Sequence, residues 1–309
     1  MIQSILSTTW PFNRGLMTVD DVVLHLELLH ADTVCIRAPV YFTQLQSANL
    51  PVAQAFHDEL VGKLPEGVGV ALWPVVSLYN PELMADRIAE YAEHYNPDLI
   101  ILDAERHWVT DYIANLPRFL NRLAAHMVSG RVRCPVGLGS YRRANLHANM
   151  NWQTWLTHKR PDGAYTIGFA GHQLYPLGWI TPSQWVAQMS LDVDSHEAEH
   201  RRAGRPEIEW MPWMPSFIGG TYEGLPTSWV PSAPAYGAAL KYLTDRLGSR
   251  LMGFNHWSLD VDLVDPRMVP IYDLVRSLGV EPGPIEPTLE EKVAILWREG
   301  LAHGWNLTP

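Results

Sequence analysis

The chain has 309 residues, of which 47% are hydrophobic and 18% charged, so it carries enough apolar material for one large domain with a sizeable core. A formal net charge of −10 argues against nucleic acid as the main partner, and no apolar run is long enough to predict a membrane span. The amino terminus lacks the basic start of a secretory signal. This predicts cytoplasmic synthesis.

Short apolar runs alternate with segments of helical periodicity eight times along the chain. The predicted strands are Ser4–Trp10, Thr33–Tyr41, Gly69–Leu78, Asp98–Glu105, Pro135–Tyr141, Tyr165–Tyr175, Glu207–Pro215 and Leu251–Leu259. The predicted helices are Val19–His30, Val52–Leu64, Pro81–Tyr95, Asp111–Ser129, Asn151–His158, Pro182–Ala203, Ala233–Leu247 and Pro266–Leu278. Eight β-α units predict an α/β fold, a (β/α)8 TIM barrel over residues 1–279. A doubly wound open sheet is the alternative, but the glycine-rich phosphate turn typical of that fold is missing from the sequence.

Local signals support several of these elements. Thr18 with Asp21 forms a capping box, and Asn80-Pro81 places a cap before a proline at the first helical position. Cys35 and Cys134 fall within predicted strands, so both are expected to be buried thiols, which suits a reducing cytoplasm.

Residues 280–309 differ from the barrel. A proline-rich linker from Val280 to Pro287 precedes a capping box, Thr288 with Glu291, that starts a short amphipathic helix. A tail this small cannot bury a core of its own. We therefore expect it to dock on the barrel or on a partner protein.

The fourth predicted strand carries the strongest chemical signal. It runs Asp98-Leu99-Ile100-Ile101-Leu102-Asp103-Ala104-Glu105, so two carboxylates one residue apart end an apolar strand. Side chains two apart on a strand point to the same face, which places Asp103 and Glu105 together at the carboxyl end of the barrel. A glycosidase needs such a pair, with one group kept protonated by its neighbour and by partial burial. The alternative is a surface Asp and Glu at a strand end.

The other strand ends are rich in aromatic and neutral hydrogen-bonding side chains and poor in cations. Such a lining suits sugars, which have apolar ring faces and a fringe of hydroxyls. The candidates for substrate binding are Trp10, Arg37, Tyr141, His172, Gln173, Trp213, Asn255 and Trp257. Arg37 has a second interpretation as an ion-pair partner of Asp103 or Glu105 inside the barrel, and His172 as a buried polar group.

Three segments resemble glycoside hydrolase family 18, especially its plant class III chitinase and lysozyme branch. Asp98-x-x-x-x-Asp103-x-Glu105 resembles the family's fourth-strand signature D-G-x-D-x-D-x-E. His172-Gln173-Leu174-Tyr175 resembles the branch's Q-x-Y element. Gly253-Phe254-Asn255-His256-Trp257 resembles the strand that ends in a tryptophan at the floor of the sugar site.

The sequence also departs from that signature. Ile101 stands at the middle Asp and Leu99 at the Gly, which puts the family's carboxylate relay in question. The shorter D-x-E is also similar to the family 25 lysozymes, and the motifs do not separate the two families.

The resemblance implies retaining hydrolysis of a polysaccharide containing N-acetylhexosamine, either peptidoglycan or chitin, with help from the substrate. Glu105 would be the general acid, and Asp103 with Tyr175 would hold the 2-acetamido group. Gln173 and Trp257 would position the sugar. The mechanism requires no metal or organic cofactor. With cytoplasmic synthesis, action on a cell wall would follow release by another route or a phage-borne origin.

Two other classes of protein compete with a glycosidase. The loss of the Asp at Ile101 allows a glycan-binding or structural barrel without catalysis. His196-Glu197-Ala198-Glu199-His200 fits H-E-x-x-H, a zinc-protease motif. Its surroundings are charged on all sides, as expected for a solvated outer helix that runs away from the barrel mouth.

Overall fold

The computed structural model describes residues 2–7, 18–29, 31–37, 50–104, 107–175, 181–215, 218–219, 228–229, 231–257, 270–271 and 273–274. The strands are β1 Ile2–Ser7, β2 Thr33–Ile36, β3 Gly69–Leu72, β4 Leu99–Asp103, β5 Val136–Gly139, β6 Phe169–Ala170, β7 Glu209–Trp210, β8 Trp213–Pro215, β9 Ile218–Gly219, β10 Ser228–Trp229 and β11 Gly253–Trp257. The α-helices are α1 Val19–Leu29, α2 Leu50–Gly62, α3 Pro81–Tyr95, α4 His107–Thr110, α5 Leu116–Val128, α6 Trp152–Thr157, α7 Pro182–Arg202 and α8 Ala233–Leu247.

Nine of the strands form one parallel sheet that closes on itself. Its hydrogen-bonded order is β7-β6-β5-β4-β3-β2-β1-β11-β8. The two ends of this order, β7 and β8, are successive pieces of one stretch of chain, separated only by Met211 and Pro212. The Met211 amide donates to the Ala170 carbonyl at 2.7 Å, and the Met252 amide donates to the Trp210 carbonyl at 2.9 Å. The stretch 209–215 therefore bonds to the sixth strand on one side and the eighth on the other, which makes an eight-stranded TIM barrel as predicted.

Strand residues alternate between two hydrophobic cores. On β4, Ile100 and Leu102 belong to a large cluster shared with the helices, whereas Leu99 and Ile101 belong to a smaller cluster with no helical members. The smaller cluster fills the barrel interior and comprises Cys35, Ala71, Trp73, Leu99, Ile101, Phe169, Met211 and Trp213. This period of two decides which side chains can face a cleft at the barrel mouth.

Several helices begin at the predicted caps. The Thr18 amide donates to the Asp21 carboxylate at 2.6 Å and the Asp21 amide to the Thr18 hydroxyl at 3.2 Å, which is the predicted capping box. Thr181 and Gln184 form a second capping box at the start of α7. Helix α3 begins at Pro81 as predicted, but the Asn80 side chain before it makes no capping hydrogen bond. These caps fix the helix starts at the carboxyl end of the barrel, where the strands deliver their terminal residues.

Some strands are shorter than predicted because of proline and turns. The third ends at Leu72, two residues before Pro74, and the seventh is interrupted at Met211 and Pro212, since proline has no amide hydrogen to donate. The sixth begins only at Phe169, because residues 159–165 form a turn closed by a hydrogen bond from the Arg160 amide to the Ala164 carbonyl. The fourth predicted helix was expected to start at Asp111. It corresponds to α5, which starts at Leu116 and has Pro117 in its first turn.

The predicted linker and helix at 280–309 lie outside the described residues and stay a prediction. Both cysteines are buried free thiols, as expected. Among the described helices, none combines the length and apolarity that crossing a bilayer requires.

Candidate active site

Asp103 ends β4 on the inward face of the barrel. It shares the parity of Leu99 and Ile101, and its side chain is almost completely buried. Burial raises the pKa of the Cys35 thiol, and the negative charge of Asp103 acts in the same direction, so the Asp103 carboxylate lies near the inward-facing Cys35. The backbone of Asp103 is held on the third-strand side, with its amide donating to the Pro74 carbonyl at 2.9 Å. The barrel interior therefore contains a carboxylate at its carboxyl end.

Three other predicted site residues fall wholly or partly outside the described part of the chain. Glu105 and Trp10 lie outside it entirely. For Trp257 the structure gives the backbone, as the last residue of β11, but not the side chain. Their roles stay predictions.

Gln173 and Tyr175 lie on the same inward face as Asp103. The backbone amide of Gln173 donates to the Ser140 carbonyl at 2.9 Å, and Gln173 forms a parallel β-bridge with Trp213 on the neighbouring strand. Tyr175 is partly buried and packs against the interior cluster. The sixth strand thus directs the side-chain amide of Gln173 and the phenol of Tyr175 towards the barrel interior, where Asp103 also lies.

A stack of aromatic and cationic groups fills the interior close to these residues. The ring centroids of Trp73 and Trp213 are 5.4 Å apart, and the guanidinium carbon of Arg37 lies 4.9 Å from the Trp73 centroid. Both indoles are more than nine-tenths buried, whereas Arg37 is partly exposed. Trp213 therefore packs within the interior core. Arg37 lies over the ring of Trp73 as its cation–π partner and is more exposed than either indole. Trp73 was absent from the predicted sugar-binding set, although its spacing of two from Ala71 marks it as inward-facing.

Ile101 occupies the strand position where the family signature has its middle Asp. Its side chain is fully buried, and a Cβ built on either Gly139 or Gly171 would lie 3.0 Å from its Cγ2 atom. The two glycines thus leave room for a branched apolar side chain across the barrel. A hydrocarbon contact replaces a carboxylate beside Asp103.

Asn255 links the seventh and eighth strands inside the barrel. Its side chain is fully buried, and its Nδ2 group donates to the Met211 carbonyl at 2.9 Å. Its Oδ1 atom has no hydrogen-bond partner within the described residues. Asn255 therefore serves the closure of the barrel, and its amide oxygen is a buried acceptor.

His172 lies on the outer face of its strand, which favours its second interpretation, a buried polar group, over sugar binding. Alternation sends it away from Gln173, and its ring stacks on His196 of α7 with centroids 3.5 Å apart. His200 and the indoles of Trp152 and Trp210 surround the pair. The histidine cluster, defined as His172, His196 and His200, is therefore part of the packing between strands and helix α7.

Burial keeps the histidine cluster uncharged. It lowers the pKa of His196 to about 3 and those of His172 and His200 well below their usual value. The Nε2 atom of His196 lies 2.9 Å from the Tyr141 carbonyl oxygen, so this nitrogen carries the hydrogen and donates. The Tyr141 ring stacks on His147 at 3.6 Å and packs against the outer core. Tyr141 is thus anchored to the outer shell instead of the interior.

The same packing gives no support to a zinc protease. Glu197, the acid of the H-E-x-x-H motif, is buried and forms ion pairs with Arg246 and Arg250. Within the described ranges, no three His, Cys, Asp or Glu side chains converge in a metal-binding arrangement. The motif is explained by a structural charge network on α7.

The chain matches no protein-family model and no curated protein in sequence, but its fold resembles several solved structures. A family GH18 chitinase from Cycas revoluta in complex with allosamidin has a TM-score of 0.57 at 11% identity, covering 90% of this chain and 99% of that chain. For the spore cortex-lytic enzyme SleL from Bacillus megaterium the TM-score is 0.52 at 10% identity, and the match covers 92% of this chain and 75% of that chain. For the chitinase-like agglutinin from Robinia pseudoacacia the TM-score is 0.51 at 10% identity, and the match covers 89% of this chain and 98% of that chain.

These likenesses establish the fold of the molecule. The chain is an α/β barrel of the kind found in GH18 chitinases, with an inward-facing carboxylate at the end of its fourth strand. The resemblance predicted from the strand motifs is confirmed at the level of the fold.

Proposed function

We propose that this protein is a glycoside hydrolase that cleaves glycans containing N-acetylhexosamine, namely peptidoglycan or chitin. The proposal is carried by one observation: Asp103 ends the fourth strand on the inward face, where Gln173 and Tyr175 of the sixth strand also face. Two solved structures with the same fold suggest the substrate class. The Cycas revoluta chitinase has been crystallised with (GlcNAc)3, and SleL is named as a spore cortex-lytic enzyme.

In the proposed mechanism, Glu105 is protonated at rest and donates its proton to the glycosidic oxygen as that bond breaks. The carbonyl oxygen of the substrate's 2-acetamido group attacks the anomeric carbon from the opposite side. Asp103 and Tyr175 hold that group and polarise it. Water then attacks the anomeric carbon and displaces the acetamido oxygen, which restores the free 2-acetamido group. The Glu105 carboxylate takes up the proton of the water, which regenerates the acid.

Binding of the sugar falls to neutral and aromatic groups. Gln173 offers an amide on the inward face, and Trp10 and Trp257 supply apolar surfaces for the ring. Arg37 provides a cation over Trp73. Fixing the sugar in a reactive conformation supplies much of the rate, because the reacting atoms are then already aligned.

The test is release of reducing ends from purified chitin and peptidoglycan. Wild-type protein is expected to act on at least one of them, and Glu105→Gln is expected to lower turnover by about 10²- to 10⁴-fold while binding is retained. Glu66→Gln serves as the matched control, since Glu66 is exposed and lies before the third strand, at the opposite end of the barrel. Equal turnover of Glu105→Gln and wild type would remove Glu105 from the mechanism.

A glycan-binding protein without catalysis is the second candidate, favoured by the apolar packing of Ile101 on Gly139 and Gly171. Without a carboxylate at position 101, the chain has no counterpart of the middle Asp in the carboxylate relay of the family signature. Wild-type protein that binds chitin or peptidoglycan and releases no reducing ends would select this alternative.

A further inference from the structure

Two tyrosines stand exposed on the molecular surface next to each other. Tyr79 is 63% exposed and Tyr112 is 38% exposed, and they are the aromatic members among the large exposed hydrophobic side chains of the described residues. Their ring centroids are 5.2 Å apart at an interplanar angle of 78°. This edge-to-face contact holds the rings together but leaves apolar ring surface open to water. We call Tyr79 and Tyr112 the tyrosine rim.

The tyrosine rim lies at the end of the barrel that carries Asp103. Tyr79 is in the connection between β3 and α3, and Tyr112 is in the connection between β4 and α5. Both connections leave the carboxyl ends of adjacent strands. The Val76 amide donates to the Asp103 carbonyl at 2.8 Å, and Tyr79 is only three positions after Val76. Three extended residues span about 10 Å, so the rim is close to the candidate site.

A chain of hydrogen bonds fixes the two connections relative to each other. The Asn115 side-chain amide donates to the Leu78 carbonyl at 2.9 Å, and its oxygen accepts from Arg118 at 3.4 Å. Arg118 in turn holds the Glu82 carboxylate with two hydrogen bonds, at 2.7 and 3.0 Å. The residues beside both tyrosines are thus tied to one network. A preorganised surface loses little entropy when a ligand binds it.

We propose that the tyrosine rim binds a sugar ring of a long glycan chain whose following units enter the barrel mouth at Asp103. This inference rests on the proposed function and narrows its substrate class to polymers over short oligomers. An exposed tyrosine pair offers apolar ring surface for a sugar face and hydroxyls for its fringe. The nearby side chains of Glu82 and Arg118 form an ion pair with each other.

The test compares binding to insoluble chitin and peptidoglycan with turnover of short soluble oligomers. Tyr79→Ala with Tyr112→Ala is expected to weaken polymer binding by about tenfold and to leave oligomer turnover unchanged. Tyr79→Phe with Tyr112→Phe keeps the rings and is expected to retain most of the binding. Leu191→Ala is the control, because Leu191 is 57% exposed on the outer helix α7.

The outcomes separate the rim from the hydrolase. If the double alanine variant binds the polymers as well as wild type does, the proposal that the tyrosine rim binds glycan is overturned. It is also overturned if wild-type protein binds neither polymer. Weaker binding by the double variant, with wild-type protein that binds but never cleaves, supports the rim and overturns the hydrolase.

Discussion

The inner and outer faces of the sixth strand carry different polar chemistry within two consecutive residues. Gln173 faces the barrel interior with Asp103 and Tyr175, whereas His172 faces helix α7 and joins the histidine cluster. The inner groups lie at the carboxyl end of the barrel interior, where Gln173 and Tyr175 are partly exposed. The outer groups are sealed between strand and helix. Strand register therefore decides which polar residues can act on a substrate and which only stabilise the fold.

The largest expected effect concerns the apolar side of this division. Ile101→Asp would place a second carboxylate beside Asp103 in a space that Gly139 and Gly171 leave for hydrocarbon. We expect a loss of about 4 kcal/mol in the free energy of unfolding, because the new charge is buried without a partner. Urea unfolding monitored by tryptophan fluorescence measures it, and Ile101→Val, with an expected loss of about 1 kcal/mol, is the control. An Ile101→Asp protein as stable as wild type would mean that the interior is hydrated.

The histidine cluster predicts a loss of stability in mild acid. Buried His172, His196 and His200 have lowered pKa values, so the unfolded chain binds protons that the folded chain does not, and stability falls as pH drops below about 6.5. For His196, whose pKa is about 3, the loss between pH 7 and pH 5 is about 2 kcal/mol. His57, whose pKa burial lowers to about 4, adds to the trend, and Asp192, whose pKa burial raises to about 6, opposes it.

Unfolding curves at pH 7 and pH 5 measure this effect. The variant His196→Asn removes one titrating group and keeps a side-chain donor near the Tyr141 carbonyl, so its stability is expected to fall less between the two pH values. A pH dependence identical to wild type would show that His196 is not buried in the neutral form.

Much of this division could be predicted from the sequence. The barrel, and the end of it that carries Asp103, follow from the eight alternating units, the cap at Thr18 and the apolar run before Asp103, because periodicity and capping are local properties. The outward direction of His172 also follows from its parity with Leu174. Sugar binding stayed open for His172 only because the H-Q-x-Y motif was interpreted as a unit, without that alternation.

Other features depend on contacts between distant segments. The stack of Arg37 on Trp73 and Trp213 joins three strands, and the partner of each ring depends on strand order. The tyrosine rim lies beside a hydrogen bond between Asn115 and Leu78, which are 37 residues apart. Pairings of this kind leave no periodic signal in the chain.

The smallest expected effect is on the free energy of unfolding, and it comes from Arg37, which is the partly exposed member of the inner stack. Replacing the guanidinium of Arg37 by the neutral side chain in Arg37→Met removes its cation–π contact with Trp73. We expect a loss of about 1 kcal/mol in the free energy of unfolding, with Arg37→Lys intermediate. Thermal unfolding measures stability, and KM on a soluble chitin oligomer measures the predicted contact with substrate. Wild-type values of both for Arg37→Met would assign no role to this stack.

The most direct measurement is turnover of chitin and peptidoglycan by Asp103→Asn beside His172→Asn, with the folded fraction of each determined by circular dichroism. Asp103 faces the interior and His172 faces helix α7. We predict that Asp103→Asn lowers turnover by about 10²-fold or more with its fold intact, whereas folded His172→Asn keeps wild-type turnover. Full activity of Asp103→Asn on a substrate that wild-type protein cleaves would contradict the placement of the chemistry on the inner face.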